Sequence, residues 1–178
     1  MSDEVRPVDR MVTFGLLAAW ALHDVEELAT GPAWLRRHVP ELRERFPGVP
    51  ERVWRQAEAV DGREFALAVG LVGATVAAAS VAGRRSDGHS AFYQAALNGF
   101  GLHGLVHLAQ AAAVRGYTPG SVTSPLLVVP FTLWARGRLR RAGALRPTRA
   151  RDVATGLLTA AVVTVAAHTT ARKILHRP

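Results

Sequence analysis

His23, Glu26 and Glu27 stand together in the run His23-Asp24-Val25-Glu26-Glu27, and His103 and His107 stand four residues apart further along the chain. On a helix turning about 100° per residue, with His23 at zero, Glu27 falls near +40° and Glu26 near −60°. One imidazole and two carboxylates therefore share one side of that helix. His103 and His107 are i, i+4 neighbours on one face, with Gln110 just below them and Gly99 just above. The chain has no cysteine, so the donors on offer are imidazole nitrogens and carboxylate oxygens, a ligand set that suits zinc, iron or manganese. A divalent metal ion is the expected cofactor, held by His23, His103, His107 and one of Glu26 or Glu27. The other carboxylate would act as the catalytic base of a hydrolase, or the ion would be iron in an oxygenase. Asp24 points about 100° away, towards the edge of the helix, where a salt bridge would satisfy it. Named motifs fit loosely: the inverted zincin pattern H-x-x-E-H has His where Glu27 stands, and the di-iron pattern E-x-x-H runs the other way.

The elements that must carry these residues are apolar helices. The chain has 178 residues, 49% of them hydrophobic, and 22 basic against 14 acidic residues give a net charge of +8. That balance ordinarily suggests nucleic acid. Here charges and apolar residues are segregated into blocks, so no nucleic-acid partner is expected and the bilayer is. Residues 65–83 contain no charge, 153–171 contain His168 as their one ionisable group, and 91–114 contain no Asp, Glu, Lys or Arg. A 19-residue helix is about 28 Å long, close to the hydrocarbon thickness of a membrane. Two further spans complete the set, 11–29, which runs into the carboxylates, and 120–135, kinked by Pro125 and Pro130. A signal peptide is the competing reading of 12–22, but three acids would separate its apolar centre from any cleavage site. The predicted architecture is an all-α, single-domain membrane bundle of five helices over residues 1–178.

The first, third and fifth spans run in one direction, so depths compare directly. His23 and His103 each lie 12 residues into their runs, Glu27 and His107 each 16, and His168 lies 15 along. Glu64 comes in at the rim from the side towards which Glu27 points, which makes Glu64 and His168 candidate accessory residues. Thr164, one turn from His168, offers that imidazole a local partner instead. Asn98 and Gln94 lie on nearly the opposite face of the third helix and are expected to bond between helices. His38, His89 and His176 fall in connections or the tail and read as solvated.

The first connection, 30–64, carries two amphipathic stripes, Leu35-Val39-Leu42-Phe46 and Val53-Trp54-Ala57-Val60. Short helices in the headgroup layer fit them, and so does a small folded cap. Basic residues flanking the spans count eleven on each side, which leaves the positive-inside rule tied. The acid-poor segment after the fourth span tilts the choice towards an inside amino terminus.

Leu22-His23-Asp24-Val25-Glu26-Glu27, followed by Pro32 and Trp34, resembles the signature of the HXXEE domain family of small bacterial multi-pass membrane proteins. Asn98, His103, His107, the stretch Arg115-Gly116-Tyr117-Thr118-Pro119-Gly120 and Pro130 are similar too, and the resemblance spans about 12–134. It implies a motif role for His23, Glu26, Glu27, Asn98, His103 and His107 and a place in the bacterial cytoplasmic membrane. The family is named for its motif, so no substrate comes with it. The leading expectation is a metal-dependent membrane enzyme acting on a lipid or apolar small molecule. The same residues could instead relay protons or metal ions as a transporter or channel, or form the structural polar cluster of a scaffold.

Overall fold

The computed structural model describes residues 8–147 and 150–175, with side chains for all of these except 150–161. Arg6, Arg149, His176 and Arg177 lie outside the described residues. Among those described there are six α-helices, one π-turn and no strand, so the class is all-α as expected.

Helix α1 covers Arg10–Arg45, opened by Asp9, whose side chain accepts from the Met11 amide at 2.9 Å. Its 36 residues run on through Gly31-Pro32, past residue 29 where the first span was expected to end. The pair serves packing instead: both residues are buried, and a Cβ at Gly31 would sit 3.5 Å from the Phe65 ring. Beyond Pro32 the helix is held from outside. Trp34 donates its indole N–H to the Tyr117 carbonyl at 2.9 Å, and Arg45 donates to the Val114 carbonyl at 2.9 Å. The expected connection 30–64 therefore shrinks, because its first part belongs to α1. What is left is the short helix α2, Glu51–Glu58, pinned by Arg43 to Glu51 at 3.3 Å and to Glu58 at 2.9 Å.

Helix α3, Gly62–Arg85, starts under Asp61, which caps the Arg63 and Glu64 amides. Helix α4, Ala91–Val114, starts under Ser90 and stops where Arg115 turns left-handed at φ 55°. The expected span 120–135 is re-divided. A turn precedes a π-turn at Ser124–Val128, and α5 follows at Val129–Arg141, taking in Arg136, Arg138, Arg140 and Arg141. The Val129 amide reaches back to the Ser124 carbonyl, and this wider turn accommodates Pro130, which lacks an N–H and would crowd an ordinary α-turn. Helix α6 is Ala150–Leu175.

Among the described residues α3 alone is long and apolar enough to cross a membrane by length and composition. Five spans are therefore not established. Asp24, Glu26 and Glu27 interrupt the apolar run of α1, and Gln94, Asn98, His103, His107 and Gln110 lower the hydropathy of α4 even though it carries no Asp, Glu, Lys or Arg.

The core joins Val12, Leu16 and Ala19 of α1 to Tyr93, Leu97 and Phe100 of α4 and to Ala135 and Leu139 of α5. Tyr93 donates its hydroxyl to the Val12 carbonyl at 2.5 Å. Its ring lies so close to Gly83 that a Cβ there would approach within 2.5 Å, so α3 and α4 meet at that glycine. Gln94 donates to the Gly88 and Ala144 carbonyls, both at 2.7 Å, and Asn98 accepts from Arg136, so both amides bond away from α4. Small residues, Ala68 on α3 with Ala167 and Ala171 on α6, form a second cluster.

Candidate metal centre

Helices α1 and α4 pack together so that His23, Glu27, His103 and His107 converge. One donor atom from each lies within 4.8 Å of the other three, an arrangement that could hold a metal ion. His107 Nε2 is 2.9 Å from His103 Nε2 and 3.1 Å from Glu27 Oε1, and His103 Nε2 is 3.7 Å from Glu27 Oε2. The His23 ring stands 5.1 Å, centroid to centroid, from each of the other two imidazoles.

Hydrogen bonding around the group decides what His23 presents. Thr123 donates its hydroxyl to Glu26 Oε2 at 2.7 Å, so its oxygen is left to accept from His23 Nδ1 at 2.6 Å. With the proton on Nδ1, Nε2 carries a free lone pair. His23 is fully buried, and its Nε2 has no hydrogen-bond partner among the described residues. An imidazole whose second nitrogen is fixed by a neighbour is the usual state of a metal-ligating histidine.

Glu26 serves that arrangement from behind. Its Oε1 accepts from the Tyr117 hydroxyl at 3.0 Å and the Val122 amide at 3.3 Å, and its Oε2 accepts from the Thr123 amide at 2.9 Å as well as the Thr123 hydroxyl. Its carboxylate thus caps the helical turn that starts at Thr123, where unpaired amides favour negative charge. Partial burial raises the Tyr117 phenol above its ordinary value, and the Glu26 carboxylate pushes the same way, so the phenol stays a donor. The two glutamates of the motif are therefore divided: Glu27 faces His103 and His107, and Glu26 faces the 117–123 turn.

The donor set passes a simple fit test. Bond lengths of about 2.0–2.1 Å place tetrahedral ligands about 3.3 Å apart; the separations among Glu27, His103 and His107, 2.9 to 3.7 Å, bracket that value, and the full set including His23, which spreads to 4.8 Å, would draw in around an ion. Three imidazole nitrogens and one carboxylate oxygen match both zinc and the harder ions iron and manganese. Without an ion the buried Nε2 of His23 has nothing to bond, which is costly for a buried acceptor. Gly120 closes the back of the site. At φ +81° it adopts a backbone conformation that disfavours other residues, and a Cβ there would meet the His107 ring at 2.7 Å. The front stays open: the His103 side chain is 44% exposed, and His103 and Glu27 both line a cavity.

Other residues singled out in the sequence lie elsewhere. Glu64 is buried and accepts at Oε1 from His168 Nδ1 at 3.2 Å and from Arg172 Nε at 2.8 Å. His168 thus finds its partner across the α3–α6 contact and not in Thr164. Asp24 is no edge residue; it is 6% exposed, and its Oδ2 is buried without a hydrogen-bond partner. His38 stacks on Trp34, and His89 is exposed. Sequence reasoning placed Tyr117 in the family-like stretch 115–120 without a role and missed Thr123, whose one signal was a hydroxyl on the turn leading to Pro125.

A family model described as "Protein of unknown function with HXXEE motif" matches residues 14–135, a stretch that holds every residue of the centre. No curated protein and no solved structure matches the chain.

Proposed function

This chain belongs to the HXXEE family, and we propose that it is a metal-dependent enzyme embedded as a multi-pass protein in the bacterial cytoplasmic membrane, acting on a lipid or other apolar small molecule. The observation that carries the reading is the unpartnered Nε2 of His23, buried beside two further imidazoles and a carboxylate. A group built only to tie helices together would not leave a buried acceptor empty.

The membrane part draws support from an inverted distribution of side chains. His23, Asp24, Glu64, Gln94 and His107 are buried, whereas Leu22, Val25, Leu105, Leu126, Leu133 and Val165 are each more than half exposed. Apolar residues point outward on α1, α4, α5 and α6, while these ionisable and amide side chains point inward. Lipid is the solvent that suits such an exterior.

In this reading His23, His103, His107 and Glu27 hold the ion. A bound divalent ion supplies Lewis-acid polarisation of a substrate oxygen. Thr123 and Glu26 fix the tautomer and direction of His23, Gly120 packs His107 from behind, and His103 and Glu27 meet substrate arriving through the cavity. Protein purified from its native host in mild detergent is expected to carry about one zinc, iron or manganese ion per chain by elemental analysis. Absence of any such ion, together with no rise in melting temperature on adding zinc, iron(II) or manganese, would overturn the proposal.

A further inference from the structure

A cavity of about 990 Å³ follows α4 from Ala91 to His103 between α3 and α6. The twelve residue-to-residue rises from Ala91 to His103 make it about 18 Å long. Its walls are mostly apolar, with Val69 and Val72 of α3 and Val163 of α6 among them, and Gln94, Asn98 and Thr164 add polar groups along the way. At one end are His103 and Glu27 of the metal centre, with Asp24 beside them.

Asp24 is the group that the centre does not use. It is more than nine-tenths buried, it lines the cavity, and its Oδ2 has no partner among the described residues. A buried carboxyl oxygen left unbonded is costly, and a ligand that supplies a hydrogen-bonding group removes that cost. The second observation lies along the wall. Gly99 lines the cavity, and a Cβ built on it meets nothing within 4 Å among the described residues, so that side of α4 faces open space there.

We propose that the cavity binds a single-chain amphiphile, a long-chain alcohol, with its hydroxyl against Asp24 and its hydrocarbon chain along α4. A hydroxyl both donates and accepts, so it pairs with the carboxyl in either protonation state. The length of about 18 Å slightly exceeds half the hydrocarbon thickness of a bilayer, the reach of one extended chain, and the volume is at the upper end for a single small ligand. That the alcohol is a substrate rests on the metal-enzyme reading above; that it binds does not.

The test uses the full chain in lipid nanodiscs with zinc added, photolabelled with hexadecanol or hexadecane carrying a mid-chain diazirine and mapped by mass spectrometry. Hexadecanol is expected to label Val69, Val72 and Val163 at least about fivefold more than hexadecane. Asp24→Leu should reduce the alcohol to the alkane's level, while Asp24→Asn, which keeps an acceptor and gains donors, should preserve the preference. Gly99→Phe should abolish labelling in the cavity. Because phenylalanine is a better helix former than glycine, its melting temperature should not fall, which separates blockage from unfolding. Equal labelling by alcohol and alkane, or cavity labelling that survives Gly99→Phe, would overturn the proposal, as would labels confined to outward residues such as Leu126 and Leu133. Zinc content measured on the same samples separates the two readings: labelling without zinc removes the enzyme and keeps the alcohol site, and zinc without labelling does the reverse.

Discussion

At the α1–α4 contact three imidazoles meet one carboxylate; at the α3–α6 contact one imidazole and one guanidinium meet one carboxylate. The second group is balanced. Glu64 is buried, and both cations or donors it needs reach its Oε1 within 3.2 Å. The first group has more lone pairs than protons, and two of its buried nitrogens, Nε2 of His23 and Nδ1 of His107, have no partner among the described residues. Residue type is nearly the same in both. The surplus of acceptors is what separates a place for a cation from a brace between helices.

The sharpest way to break this comparison is to remove ligands from one group and leave the other alone. His103→Ala with His107→Ala is expected to reduce bound metal from about one ion per chain to almost none, whereas His168→Ala leaves metal content unchanged in the same elemental analysis. A smaller effect should follow from loosening His23. Thr123→Val removes the hydroxyl between Glu26 and His23, and a competition titration with a chelator should show metal affinity weakened about 10- to 100-fold, with Thr123→Ser restoring most of it. The α3–α6 group should respond in stability and not in metal. Glu64→Ala strands the His168 and Arg172 side chains, and because Arg172 is partly exposed the cost is expected near 2 kcal/mol by denaturant unfolding in detergent, with metal affinity unmoved. His168→Ala should cost least, about 1 kcal/mol or below, because Arg172 remains on Glu64.

Much of the first group was legible because helical period and depth are sequence properties. His23 and His103 stand at equal distances along their charge-free runs, and the two rings meet at 5.1 Å. The bounds of α4 follow from Ser90 and the end of the apolar run, both visible in the sequence. What could not be read depends on neighbours. A helical wheel gives Asp24 a direction but not what fills that direction, so a salt bridge was expected where there is a cavity. Gly31-Pro32 carries a break signal that packing against Phe65 and ties to the turn after α4 override. The division of labour between Glu26 and Glu27 required the 117–123 turn, whose path no periodicity encodes.

The 36 residues of α1 make a rod of roughly 54 Å, far longer than the ~30 Å of hydrocarbon in a bilayer. Were Arg10 held at one membrane surface, His23 would lie about 20 Å deep, and Arg36 and Arg37 would emerge past the opposite surface. Trp34 and Tyr117, joined by a hydrogen bond, would then fall where amphipathic rings favour the water boundary. The reacting group would sit off-centre, nearer the leaflet whose headgroups surround those two aromatics, and only molecules with a polar end drawn to that depth would reach it.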